Sequence, residues 1–305
     1  MPDTNSIRCG VAGWSYPHWD RIVYPHPRPR GFHPLEYLSR FFDVLEINTS
    51  FYGPVRPEVS RAWLRKVSGN PRLQFTAKLG RLFTHERRLE PRQVTAFIEG
   101  LRPLQEAGRL GCVLMQFPWS FRFTEENREF LIRLRRTFHY FPLAAEFRHS
   151  SWLREEALGL LIDYHIGFCN IDQPQRQSCM PPAATLTTAI GYVRLHGRGY
   201  GGWFQEFEPR PEASHRDYLY RAEELQEWAG RIARLRRFAE AVYIVFTNDA
   251  AGRSVVNALE MRALLGLPAK AAPASLASLW RRQLADFQPD GPRQEPLFIE
   301  TAAVA

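Results

Sequence analysis

Eight short apolar, β-branched runs punctuate the chain, at residues 7–13, 43–48, 73–79, 111–117, 142–147, 166–172, 191–197 and 242–248. Between most of them apolar positions recur at helical spacing, over 34–42, 57–67, 91–107, 124–138, 151–164, 217–238 and 253–265. Proline suits the first turn of such stretches, and Thr124, three residues before Asn127, is an N-cap residue. Runs that are apolar throughout fit parallel strands covered on both faces. Eight strand and helix alternations within about 260 residues point to one closed (β/α)8 TIM-type barrel, an α/β fold, rather than an open sheet with two edges.

The barrel domain is expected over residues 1–287, with long first and seventh βα loops. The sixth connection, through Pro181 and Pro182, is the least regular. A terminal helix is predicted over 275–287, and residues 288–305, which lack periodicity, read as a flexible tail.

Polar residues interrupt the apolar pattern late in the strands, where an ionised group is costly unless paired or used. Period-two alternation puts Glu46 with Asn48, Glu146 with Arg148, and Arg194 with His196 on common faces near the carboxyl ends, where a barrel opens to ligand. Lys78, Gln116 and Asp172 end three further runs. Two readings follow: a buried ion-pair network that fills the barrel, for instance Glu146 with Arg194 and Glu46 with Lys78, or a functional mouth. In the second, Glu46, Glu146, Lys78 and His196 are the candidate catalytic residues, and Arg148 and Arg194 clamp an anionic oxygen.

Tryptophans follow the strands as well: Trp14 and Trp19 after the first, Trp119, Trp152 and Trp203 after later ones. Such flat walls suit sugars or bases. The segment HGRGYGGWF holds Gly197, Gly199 and Gly202 in a formal GxGxxG, but it follows the seventh strand and opens no helix at once. It reads as a phosphate-binding loop or a lid hinge, not a dinucleotide fingerprint.

Charge changes this picture little. The formal net charge is +8 with a pI near 9.6, which would suit phosphate-bearing partners. Only Lys66, Lys78 and Lys270 are lysines among 40 basic residues, however, and much of the arginine lies on helix-like stretches that read as solvated surface. Cys9, Cys112, Cys169 and Cys179 show no CxxC, so neither disulfides nor a zinc knuckle are expected. His85, His196, Glu46, Glu146, Asp172 and Asp249 could hold a divalent metal, although no HExxH or other close-spaced ligand pair indicates one. No apolar run spans a membrane and no secretory leader is evident, so the expected location is cytoplasmic.

The segments GVAGWSYPHW, FDVLEINTSFYG, FTAKLGRLFTHERRL, GCVLMQFPWSF, AAEFRHSSW, YVRLHGRG and VYIVFTNDAAGRSVVNA, in this order, resemble the YecE-like family, domain of unknown function 72. The resemblance implies a TIM barrel and no established activity. Carried over by motif, it implies pocket positions at Gly13, Trp14, Tyr16, Trp19, Glu46, Asn48, Phe51, Tyr52, Lys78, Thr84, His85, Gln116, Glu146, Arg148, His149, Trp152, Arg194, His196, Gly197, Asn248 and Asp249. Trp119 stands where relatives commonly carry proline.

One motif lies outside the barrel. Gln294, Leu297 and Phe298 are spaced as in the QLxLF peptide with which bacterial DNA-processing proteins bind the sliding clamp; a short peptide of this kind docks its apolar pair in a groove. Three functions therefore stand as expectations. The first is an enzyme on a phosphorylated or nucleic-acid-derived substrate, such as a DNA-repair hydrolase. The second is a sugar or sugar-phosphate isomerase, epimerase or hydrolase, and the third a non-catalytic nucleic-acid or clamp-binding protein.

Overall fold

The apolar runs form strands where their pattern puts them. β1 (Ile7–Ala12), β2 (Val44–Ile47), β3 (Gln74–Lys78), β4 (Leu110–Gln116), β5 (Leu143–Glu146), β6 (Ile166–Asp172), β7 (Ile190–Leu195) and β8 (Ala241–Phe246) pair in chain order, all parallel. β8 returns to β1 with Ile7 opposite Val242 and Val11 opposite Phe246, which closes the barrel and removes both edges. The computed structural model describes residues 7–199, 217–268 and 271–291.

The helical layer follows the same logic. α1 (Pro34–Leu38), α2 (Pro57–Lys66), α3 (Arg81–Thr84), α4 (Pro91–Glu106), α5 (Glu125–Thr137), α6 (Glu155–Asp163), α7 (Ala222–Arg236) and α8 (Arg253–Leu264) surround the strands. Proline occupies the first turn of α1, α2 and α4, where its missing N–H is no loss. The Thr124 hydroxyl caps α5 by accepting from the Asn127 N–H, as its position predicts. Buried faces such as Leu225, Trp228, Ile232 and Leu235 of α7 pack onto the strands with the 3.6-residue period of an amphipathic helix.

The sixth connection, residues 173–189, is irregular as expected: it carries no helix, and its Thr185 N–H and C=O pair with the buried Asn170 amide, which ties the loop to β6. Two expectations change. The terminal helix is short: α9 (Ala274–Leu279) ends within six residues and turns follow. The first tail residues form β10 (Gln288–Asp290), which pairs in parallel with β9 (Ala271–Pro273), so ordered structure extends past residue 287. No described helix is long and apolar enough to cross a membrane. The tail residues Gln294, Leu297 and Phe298, and Trp203 with Gly202 of the seventh loop, lie outside the described residues.

The barrel floor is filled by side chains. A Cβ on Gly111 would fall 2.4 Å from the Tyr243 ring, so only glycine leaves that ring its place, beside the register shift between β3 and β4. The Tyr243 hydroxyl donates to Gln74 Oε1 at 2.5 Å. Above it Tyr192 donates to Glu46 and lies 2.8 Å from the Thr76 hydroxyl.

Candidate active site at the carboxyl ends of the strands

Strand alternation delivers one polar side chain after another to the mouth. Asn48, Lys78, Gln116, Arg148, Arg194, His196, Thr247 and Asp249 line a cleft of about 530 Å³, together with Trp14, Tyr16, Phe51, Tyr52, Trp63 and His85 from the connections and α2. That volume suits a small-molecule ligand. The wall is aromatic: Trp14 meets Trp63 edge to face at 5.1 Å, and Phe51 meets His85 the same way at 5.3 Å. Gly13 shapes the rim with φ of +76°, and a Cβ there would strike the Tyr16 hydroxyl at 2.6 Å.

Beneath the cleft lies a buried ion network centred on Arg194, which is 1 % exposed. Its Nε and Nη2 donate to the two oxygens of Glu46 at 3.0 and 2.9 Å, a bidentate fork. Its Nη1 donates to Glu146 Oε2. Glu146 Oε1 accepts from Gln116 Nε2 at 2.7 Å and faces His196 Nε2 at 3.2 Å, with Arg148 Nε at 3.7 Å. One guanidinium thus bridges two carboxylates and offsets one of their two negative charges, while the Lys78 and Arg148 cations face the remainder.

The titration of these groups follows from this geometry. Burial alone would push the Glu146 carboxyl up, but Arg194 and the donors of His196 and Arg148 hold it well below the usual carboxylate range. Glu146 therefore stays ionised near neutrality. Burial lowers His196 to about 3, so its ring is neutral; Nε2–H donates to Glu146 while Nδ1 accepts from the Thr247 hydroxyl at 2.8 Å. His85 falls to about 4 through burial and the nearby Arg148 and Arg81 charges.

Lys78 differs from the rest. Both carboxylates that could pair with it are bound to Arg194, and among the described residues its ammonium has neither hydrogen bond nor ion pair. Its Nζ stands 5.7 Å from the centre of the Phe51 ring. Burial, reinforced by the Arg194 charge, lowers it to about 8. The expected partnership of Glu46 with Lys78 does not form, because the forked guanidinium outcompetes a point charge for two carboxylate oxygens.

Several residues expected on the wall sit elsewhere. Trp19 is fully buried under the first loop, its indole N–H donating to the Asp249 C=O at 2.7 Å. Trp152 is also fully buried, stacked 3.9 Å from Phe147 and donating to the Phe121 C=O. Trp119 lies off the cleft, edge to face with His149 at 5.0 Å and under the Arg122 guanidinium. Large aromatic rings after a strand pack on the barrel as readily as they face a ligand. Asn248 is buried between Tyr218 and Asn257, and the Gly197 N–H is taken by the Tyr220 hydroxyl, so neither is offered to the cleft. Asp172 alternates onto the outer face of β6, where it accepts from Trp228 and Arg198 of the α7 side.

Tyr192, Trp63 and Thr247 belong to the site or its floor without having been singled out from sequence. Tyr192 shares the alternation of Arg194 and His196, so its pattern carried the signal. Trp63 sits within the amphipathic α2 and carried none. Among the described residues no group of three or more His, Cys, Asp or Glu side chains converges as a metal-ligand set.

The family described as "Protein of unknown function DUF72" matches residues 8–281. A DUF72 family protein of Thermotoga maritima is 30% identical, with a TM-score of 0.71 over 85% of this chain and 99% of its own. One from Enterococcus faecalis is 25% identical, with a TM-score of 0.73 over 86% and 96%. The UPF0759 protein YecE of Escherichia coli K12 is 31% identical over 117 residues, which span 38% of this chain and 39% of that protein. With the family match running from β1 through the α9 region, the chain belongs to the DUF72 family.

Proposed function

We propose that the protein is an enzyme acting at the carboxyl-end cleft on a small anionic substrate, phosphorylated or nucleic-acid-derived, with Lys78 as its proton-transferring or nucleophilic group. The observation that carries this reading is the Lys78 ammonium, which borders the cleft with neither a hydrogen bond nor an ion pair among the described residues. A bound phosphate or carboxylate would supply both, with Arg148 at the same wall. Glu46 and Glu146, committed to Arg194, act in this reading as fixed counter-charges that set the field of the cleft rather than as an acid and base pair.

The aromatic wall of Trp14, Phe51 and Tyr52 favours a substrate with a ring or flat face, whether sugar or base. A groove for extended DNA has less support. Arg28 of the first loop is bound to Asp20 at 3.0 Å and stacked over Tyr24 and Phe32, which makes it part of the loop's own scaffold. Clamp docking through Gln294, Leu297 and Phe298 stays a separate proposal; retention on immobilised sliding clamp by wild type but not by Leu297→Ala with Phe298→Ala would support it, and equal retention would refute it.

The test of the enzymatic reading is calorimetric titration with sugar phosphates and nucleoside monophosphates against their unphosphorylated parents. Phosphorylated compounds should bind, neutral parents should not, and Arg148→Ala should weaken binding about tenfold. Equal affinity for both sets would overturn the reading.

A further inference from the structure

Lysine is rare in this chain: only Lys66, Lys78 and Lys270 among 40 basic residues. Arginine is otherwise the cation used throughout, including at the two other cationic positions of the mouth, Arg148 and Arg194. For gripping an anion arginine is the better choice, since its fork matches two oxygens and its charge is permanent. An amine offers something a guanidinium cannot: it can lose its proton and present a nitrogen lone pair. Lys78 is the one primary amine among the residues that line the mouth, and among the described residues it makes no ion pair.

The surroundings suit that use. Arg194 engages both oxygens of Glu46, which also accepts from Tyr192, and one oxygen of Glu146, which keeps those acids from holding Lys78 as an ion pair. Phe51 covers one side of the amine, and the Ser50 hydroxyl bonds the Lys78 C=O at 2.7 Å, fixing the backbone from which the side chain projects. Next to another cation in a partly apolar setting, an amine is held close to deprotonation near neutral pH.

We propose that Lys78 is a nucleophile that forms an iminium with an aldehyde or ketone carrying an anionic group, and that such carbonyl compounds are the substrate class of the cleft. The inference rests on the anion-binding reading above and adds the electrophile to it. The neutral Nζ attacks the carbonyl carbon, the C–N bond forms, and the π electrons move to oxygen. One proton passes from nitrogen to that oxygen and a second comes from solvent, so the oxygen leaves as water and the nitrogen keeps one hydrogen in the cationic iminium. No oxidant or reductant is consumed. The iminium then withdraws electrons from the adjacent carbon, which is what lyase, transfer or isomerisation chemistry next to a carbonyl requires.

Reductive trapping tests this. Full-length protein is incubated at pH 7 with glycolaldehyde phosphate or glycolaldehyde and sodium cyanoborohydride, and adducts are located by peptide mass mapping. With so few lysines, each site and the amino terminus can be followed separately. The expected result is modification at Lys78 at least about tenfold faster than at Lys66, Lys270 or the amino terminus, preferential for the phosphorylated aldehyde and absent in a folded Lys78→Arg variant. Even labelling of all amines, or none at Lys78, overturns the proposal. Binding of the phosphorylated compound by calorimetry without Lys78 adduct leaves the anion reading standing and removes the iminium; equal Lys78 labelling by both aldehydes does the reverse.

Discussion

The two ends of the barrel hold clefts of almost equal size, one walled by aromatic rings and the other ringed by paired surface charges. At the amino-terminal end a cleft of about 540 Å³ is ringed by Glu36, Arg40, Asp43, Lys66, Arg72 and Arg262. Most of these charges are matched, Arg262 with Asp43 at 2.8 Å, Arg72 with Asp43 at 3.8 Å, Lys66 with Glu36 at 3.0 Å and Arg40 with Asp290 at 2.6 Å, while Arg65 on the same rim is exposed. At the carboxyl end Glu46 and Glu146 are bound to Arg194, and Lys78 stands without an ion pair beside an aromatic wall. Volume therefore does not mark the site. What sets the carboxyl-end cleft apart is an amine held by no ion pair next to flat apolar surface, at the end at which barrels of this type carry their chemistry.

The comparison is broken most severely at Arg194. Arg194→Met strands two fully buried carboxylates, and global stability should fall by about 3–5 kcal/mol. Urea denaturation followed by circular dichroism measures this; a loss below about 1 kcal/mol would mean that the acids reach water or take up protons. Arg262→Met at the other end leaves Asp43 only its longer contact with Arg72 at 3.8 Å, and removes the guanidinium from the Pro268 and Cys9 carbonyls. It should destabilise by about 3 kcal/mol and, in protein that remains folded, leave phosphate-compound affinity at the mouth unchanged. Altered affinity would show that the two ends are not independent.

Acid should act on the carboxyl end first. His196 is depressed to about 3 from an ordinary 6.5, so between those values the unfolded chain binds the proton that the folded one refuses. Stability from this residue is complete above pH 6.5 and drains as pH falls toward 3. Glu146 adds a second loss in the same direction, starting near its ordinary 4.5. In His196→Gln the decline between pH 6.5 and 4.5 should flatten, as read by the urea midpoint across pH. A decline as steep as in wild type would assign the acid sensitivity to other groups.

Much of the carboxyl-end cleft was legible in the sequence, the amino-terminal one was not, and the exceptions have physical causes. Period-two alternation found Glu46, Asn48, Glu146, Arg148, Arg194 and His196 because strand geometry is rigid and a one-residue slip would bury the wrong set. The same rule, followed to its end, would have turned Asp172 outward with Asn170. Loop tryptophans were not legible in this way: Trp14 borders the cleft while Trp19 and Trp152 are entombed, and nothing local distinguishes an indole whose N–H meets a buried carbonyl from one that faces a ligand. The pairing of Arg194 rather than Lys78 with Glu46 depends on donor geometry across strands far apart in the chain, which residue order does not encode.

The smallest expected effect is also the most discriminating, because it runs against the usual direction of a mutation. Lys78 titrates at about 8 in the folded protein against 10.5 as its ordinary value. Between those values the unfolded chain holds more protons, so stability contributed by this residue rises with pH there and is lowest below 8. Lys78→Met removes a charge held without a partner and keeps the stem that packs near Phe51. At pH 7 the variant should therefore be more stable than wild type; since Lys78 is only half-buried, solvent screening limits the gain to about 1 kcal/mol, or roughly 2–4 °C in Tm. The gap should narrow as pH rises from 8 toward 10.5. Scanning calorimetry at pH 7 and at pH 9.5 reads both terms of that statement, and a variant less stable than wild type at pH 7 would mean that Lys78 has a structural partner and that the two clefts differ less than their charges indicate.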